Sequence, residues 1–299
     1  MDNLALLFHA PPLALQLVID GVLIGAVFAL AAYGMALVWG VMNIINVCQG
    51  ELVILGGYVA LNAARLGLHP LLGVPAAAAV LFVLGWLCYR LVIFRIVERD
   101  LFISLLATYG LGILLSQIMN QAFGANVESL DARLGAWFMF DGLVSVSKIK
   151  VVGALVTFAI AAVLVAFMRR SRLGRAIRAT AQNARAARIL GVDTDRIYAM
   201  TYALNAAICG AAGALVVMIW VIQPFGGLIY TVRSFTIVIV AGLGNLPGVI
   251  LAALGLGAAE QFVGFLLGAQ FQIAFVFVAL VVILIARSRR LRRHRRYLA

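Results

Sequence analysis

Four polar side chains crowd into one interruption between two apolar runs: Asn43, Asn46, Gln49 and Glu51, within the stretch from Gly40 to Tyr58. Three amides and a carboxylate can exchange hydrogen bonds with a polar solute or with water, which an apolar wall cannot. Irregular backbone at membrane depth survives only where it meets protein or water, so one reading has this break lining or gating a translocation pathway. The other has an ordinary turn, with Glu51 opening the next helix where the dipole favours a carboxylate. The residues alone leave both open. Asp20, Arg233 and Glu260 are further ionisable groups within apolar runs, and such groups are functional candidates by default. Arg233 and Glu260 stand near run ends, from which they can snorkel toward water.

Other chemistry finds little support. Cys48, Cys88 and Cys209 lie far apart and lack metal-ligand spacing, so neither disulfides nor a metal site is expected. His9 and His69 are isolated, and His294 belongs to an arginine tail. No nucleophile stands beside a base, and no cofactor is expected. The glycine-rich run Gly242-Leu-Gly-Asn-Leu-Pro-Gly248 lacks a surrounding strand–helix nucleotide unit, and the pattern ending in Gly-Lys-Ser/Thr is missing, since the lysines are Lys148 and Lys150. The chain is therefore not expected to be an enzyme or to hydrolyse ATP by that route.

A second constellation runs from Gly174 to Gly191, alanine-rich and helix-favouring. On a wheel of about 100° per residue, Arg175, Arg178, Arg185 and Arg188 fall within roughly 140°. Ala176, Thr180, Asn183, Ala187 and Leu190 lie opposite, and Gly191 can cap the C-terminus. A helix with one cationic and one small-residue face suits a groove on a soluble partner; the alternative is a basic helix resting on anionic headgroups. Flat alanines offer little to insert into a bilayer, which favours the protein partner.

The elements that position these groups follow from composition. The chain is 65% hydrophobic and 11% charged, against about 25% charged in soluble domains. A spanning helix needs about 20 apolar residues, so 299 residues hold about eight to ten spans and no separate soluble domain. The expected fold is all-α, one polytopic transmembrane bundle over residues 1–299. The apolar runs are Leu13 to Val41, Leu52 to Arg65, Leu71 to Phe94, Leu101 to Phe123, Val151 to Met168, Ile197 to Ile222, Tyr230 to Leu243, Val249 to Leu267 and Phe271 to Ala286. Leu52 to Arg65 and Tyr230 to Leu243 are short, and each borders a glycine-rich kink, Gly56-Gly57 and Gly242-Leu243-Gly244. Paired short segments of this kind point to a central pathway in transporters; the alternative is two tilted or thinly covered helices. Gly21-x-x-x-Gly25, Gly244-x-x-x-Gly248 and Gly264-x-x-x-Gly268 would let helices approach closely.

Charge supplies the orientation. Residues 169–196 carry a net +6 and residues 287–299 a net +7, together more than the whole chain's +12. Cytoplasmic loops collect Lys and Arg, so both segments are expected inside, as is the connection holding Arg95 and Arg99. Nine crossings then put Gly124 to Lys150 and the N-terminus outside; the N-terminus is read as uncleaved, since it lacks a positive n-region. Charge confined to two runs beside hydrocarbon-like segments also speaks against nucleic acid as a partner.

Asn43-Ile-Ile-Asn46, Gln49-Gly-Glu51 and Gly56-Gly-Tyr58 resemble the signature of permease subunits of branched-chain amino acid ABC transporters. Gly174-Arg-Ala-Ile-Arg-Ala179, Ala187 to Arg196, Ala241 to Asn245 and Pro247-Gly248 match it too, in the family's order. The resemblance implies a bacterial inner-membrane permease subunit that works with a second, related permease, two cytoplasmic ATPases and a periplasmic solute-binding protein. It assigns the coupling loop 169–196, and within it Gly174, Arg175, Arg178, Arg185, Ala186, Ala187 and Gly191, to contact with an ATPase. Two departures stand out: Val47-Cys48-Gln49-Gly50 replaces an aromatic-Ala-His-Gly run, and Arg185 stands where the general pattern of ABC importers carries Glu. Urea or short amides are therefore alternative solutes within the family, and an ion-coupled secondary transporter using Asp20, Glu51 or Glu260 is the alternative outside it.

Overall fold

The computed structural model describes residues 11–139, 144–242 and 244–296. Expectations placed on the extreme N-terminus, on Leu243 and on the side chains of the arginine tail fall outside the described residues. All nine apolar runs become helices: α1 (Pro11–Met42), α2 (Gln49–Arg65), α3 (Gly73–Leu91), α4 (Leu101–Phe123), α5 (Lys148–Arg170), α8 (Thr194–Ile219), α9 (Gly227–Ala241), α10 (Leu246–Leu267) and α11 (Phe271–Arg296). Between α5 and α8 lie two short ones, α6 (Arg172–Gln182) and α7 (Ala184–Ile189). Six helical stretches, covering α1, α3, α4, α5, α8 and α10, are long and apolar enough to cross a membrane.

One element was not foreseen: an antiparallel hairpin, β1 (Ala136–Met139) with β2 (Val144–Ser147), pairing Ala136 with Ser147 and Met139 with Val144. The alternation Val144-Ser-Val-Ser147 buries its valines and leaves its serines half-buried, the period-two pattern of a strand with one face covered. It sits where α5 begins, so it marks the end of the bundle opposite α6 and α7. Glu128 and Ile222 exchange backbone hydrogen bonds at 2.9 and 2.8 Å, and Arg65 reaches Glu128 at 2.8 Å. Asp20 pairs with Lys150 at 2.7 Å at that same end.

Helix α8 forms the centre, packed by α1, α2 and α3. Bare backbone lets it do so. A Cβ at Gly213 would lie 1.8 Å from the Val53 carbonyl oxygen, and one at Gly56 would lie 2.5 Å from the Gly210 Cα. Gly56-Gly57 is thus a packing surface inside an unbroken α2, not a kink. Of the three Gly-x-x-x-Gly spacings, Gly21 and Gly25 form a helix seam, closing on Gly257 and its neighbours in α10; Gly244 and Gly268 have φ of +80° and +107°, the first in the α9–α10 turn and the second capping the end of α10.

Candidate functional site

The short helices α2 and α9 begin against each other inside the bundle. A Cβ at Gly50 would lie 1.7 Å from the Gly227 carbonyl oxygen, so only glycine fits there. The Gly50 amide donates to Thr231 Oγ1 at 2.8 Å, and that hydroxyl donates to the Val47 carbonyl at 3.0 Å. Beside this junction Gln49 Nε2 donates to the Ala31 carbonyl of α1 at 2.8 Å. Ala31 lies roughly 16 Å, at 1.5 Å per residue, before the end of α1 at Met42. Segment 43–48 therefore runs back into the bundle before α2 starts, and α2 then leads to Arg65 at the hairpin end. After Trp220 the chain likewise re-enters, and α9 leads the other way, to the α9–α10 turn beside α6. At 17 and 15 residues the two helices measure about 26 and 23 Å, each shorter than the roughly 30 Å hydrocarbon core. The two short runs are thus half-helices that meet at their positive ends.

The four polar candidates separate here. Asn43 is exposed and takes a left-handed turn with φ +51°, which Asn tolerates better than most residues. Asn46 and Gln49 are buried together: Asn46 Nδ2 donates to Gln49 Oε1 at 3.0 Å, and Tyr202 donates to Asn46 Oδ1 at 3.4 Å. Glu51 faces elsewhere, because two residues along a helix turn the side chain by about 200°. Its carboxyl abuts Gly227, where a Cβ would come within 2.3 Å, and its Cγ lies beside Gly112 of α4. Its Oε2 is buried with no hydrogen-bond partner among the described residues.

Thr108 and Thr231 stitch the broken backbone and escaped the sequence reading, since a lone threonine in an apolar helix gives no sign of what it touches. Thr108 Oγ1 accepts the Val47 amide at 3.1 Å and lies 2.9 Å from the Ile45 carbonyl, to which it can donate. Asn205 was missed for the same reason. Its Nδ2 is buried and unpaired among the described residues, and its Oδ1 accepts from Cys209 at 3.7 Å. Arg233 and Glu260 do not snorkel apart; they pair at 2.8 Å.

The arginine-rich segment is two helices rather than one. Asn183 breaks it: its backbone is extended at φ −157°, and its Oδ1 accepts the Ala186 amide at 2.9 Å, capping α7. The cationic stripe is therefore not continuous. Ser171 caps α6 through the Gly174 amide at 2.8 Å, and Gly174 is tight, since a Cβ would lie 2.5 Å from the Phe167 carbonyl oxygen. Arg175 and Arg178 donate to the Arg170 and Met168 carbonyls, the free acceptors at the end of α5. Gly191, with φ +86°, closes α7 as expected: its amide reaches the Arg188 carbonyl at 3.1 Å and the Val192 amide the Ala187 carbonyl at 3.0 Å.

Thr180 and Ala187 point inward and are buried, so that part of the small-residue face is spent on the protein's own packing, while Asn183 and Leu190 of the same face are exposed. What α7 presents outward is Arg185 and Ala186, with Ile189 and Leu190 at 80% and 84% exposed. Arg188 bonds Glu98 at 2.6 Å, and this partner raises the guanidinium pKa above its ordinary value. That bridge ties the α3–α4 connection to α7, so the segments holding Arg95, Arg99 and the arginine loop lie at one end of the bundle.

The helices define a multi-pass membrane protein of the transporter type, with half-helices meeting inside the bundle. The chain belongs to the family described as branched-chain amino acid transport system / permease component, which matches residues 17–286. It is 31% identical over 290 residues to the high-affinity branched-chain amino acid transport system permease protein BraD of Pseudomonas aeruginosa, covering 91% of this chain and 94% of that one. It is 30% identical over 285 residues to the LivH permease protein of Escherichia coli, covering 91% and 92%. A probable LivH of Methanocaldococcus jannaschii is 27% identical over 286 residues, covering 90% and 88%. No solved structure matches the chain.

Proposed function

We propose that this chain is one permease subunit of an ATP-driven importer that moves branched-chain amino acids inward, paired with a second, related permease, driven by two cytoplasmic ATPases and supplied by a periplasmic binding protein. The observation that carries the reading is the family match across residues 17–286. The end bearing α6 and α7 is cytoplasmic on this reading, because the arginines concentrate there. Water is a poor solvent for Ile189 and Leu190, and their exposure at the tip of α7 fits a contact that a soluble partner covers. Arg185 beside them suits an acidic rim on that partner.

The half-helix junction serves as the pathway constriction. Two helix N-termini converge there, and Glu51 supplies a carboxylate whose Oε2 lacks a partner among the described residues. Asn46 and Gln49 hold segment 43–48 in shape, while Glu51 is the group positioned to meet a passing solute or water. The test is uptake of labelled leucine by proteoliposomes holding the whole complex, with and without ATP and binding protein. Ile189→Asp and Leu190→Asp should each cut ATP-dependent uptake at least about tenfold, a loss of about 1.4 kcal/mol of docking energy, while membrane insertion stays normal. Parental uptake by both variants would remove α7 from the coupling surface.

A further inference from the structure

Beside the half-helix junction, on its hairpin side, a cavity of about 230 Å³ opens between α1, α9, α10 and the start of α11. Sites for drug-sized ligands run roughly 300–1,000 Å³, so this one suits a smaller molecule. Its walls include Phe28, Trp220 and Tyr230, and its polar side chains include Arg233, Glu260, Gln261 and Gln272. Phe28 stacks on Trp220 at 5.5 Å, and the Arg233 guanidinium sits 4.5 Å over the Phe28 ring. Arg233 and Glu260 have side chains only 14% and 4% exposed.

A buried ion pair is weak support for stability, since apolar residues of similar volume often do as well. Its placement on a cavity wall gives it another use. Arg233 Nε lies 3.1 Å from both Glu260 oxygens and Nη2 lies 2.8 Å from Oε2. Those bonds leave Nη1 unengaged by Glu260, and each carboxylate oxygen keeps acceptor capacity. The pair is a fixed dipole with both ends available. A simple anion at this wall meets Glu260 as a like charge, and a simple cation meets Arg233. A zwitterion laid antiparallel meets neither.

We infer that this cavity is a subsite for a free α-amino acid, with its carboxylate on Arg233, its ammonium on Glu260 and an aliphatic side chain against Phe28 and Trp220. The choice of an amino acid among zwitterions rests on the importer reading above; the charge geometry does not. Trp220 stands where α8 ends and the chain re-enters the bundle, and irregular backbone of that kind borders solute sites in transporters. With α6 and α7 in the cytoplasm, the subsite lies on the periplasmic side of the junction, ahead of Glu51 on the inward path.

The experiment uses the whole complex in nanodiscs without binding protein and measures equilibrium binding of labelled leucine. Leucinamide, which lacks the carboxylate, and N-acetyl-leucine, which lacks the ammonium, should each compete at least about tenfold more weakly than leucine, as expected for one lost charge-assisted contact. Arg233→Gln and Glu260→Gln should each weaken leucine binding by a similar factor. The exchanged pair, Arg233→Glu with Glu260→Arg, should recover the amount of assembled complex without recovering leucine binding, because the dipole is reversed while the aromatic wall stays in place. No leucine binding by the parent complex, equal competition by the three ligands, or full recovery of binding by the exchanged pair would each overturn the subsite. ATP-driven uptake is measured alongside. A complex that binds leucine as described but imports none refutes the importer reading alone, whereas import with unchanged KM in both glutamine variants refutes the subsite alone.

Discussion

Thr231→Val isolates one bond pair at the half-helix junction. Valine keeps the shape of threonine and removes the hydroxyl that accepts the Gly50 amide at 2.8 Å and donates to the Val47 carbonyl at 3.0 Å. Thr231 is buried, so water does not replace either bond. Each orphaned group costs about 1–3 kcal/mol; with some relaxation the loss is about 2–4 kcal/mol, on the order of 5 °C or more in unfolding temperature. Thr236→Val is the matched control about one and a half turns away. Its hydroxyl donates to the Val232 carbonyl of its own helix at 2.8 Å, a bond whose loss leaves no backbone group unpaired, and it should cost under about 1 kcal/mol. Thr231→Ser keeps the hydroxyl and should stay close to the parent. Thermal unfolding of the purified complex in one detergent ranks the three. Equal midpoints for Thr231→Val and Thr236→Val would refute the idea that this hydroxyl holds the break together.

Three further outcomes follow from the same geometry. In a cysteine-free version, Ser129→Cys should label from outside intact cells and Gln182→Cys should not; labelling of Gln182→Cys from outside would invert the orientation. Gly213→Ala puts a Cβ within 1.8 Å of the Val53 carbonyl oxygen, whereas Gly255→Ala meets open space; immunoblots of membranes should show folded protein lost in the first and kept in the second, and equal yields would contradict the α2–α8 seam. Gly191→Val forces a β-branched residue into φ +86°, at a cost on the order of 1–3 kcal/mol, and should speed proteolytic nicking at α7 while the transmembrane core stays intact.

Much of this protein was legible in one dimension. Each helix inside a bilayer must satisfy its own backbone, so apolar runs bounded by turns and charges become helices whatever their neighbours, and all nine did so. Arginine counts are equally local, and they grouped the α3–α4 connection with the α6–α7 segment before the Arg188–Glu98 bridge brought them together. The αL cap at Gly191 was readable for the same reason: a glycine after a helical run has few other uses. Gly56-Gly57 and Asn183 were misjudged because a glycine pair kinks a helix or packs one, and an asparagine interrupts or decorates one, according to what lies beside it. What only tertiary structure decided was which polar groups meet. Gln49 and Glu51 are two residues apart and face different neighbours, while Thr231 reaches Gly50 across 181 positions of chain. Glu260 finds Arg233 across 27, where chain distance gives no hint of the pairing. Helix periodicity fixes the direction of a side chain relative to its own axis, but the partner depends on how whole helices are turned against one another, and that is settled by packing of the entire bundle at once.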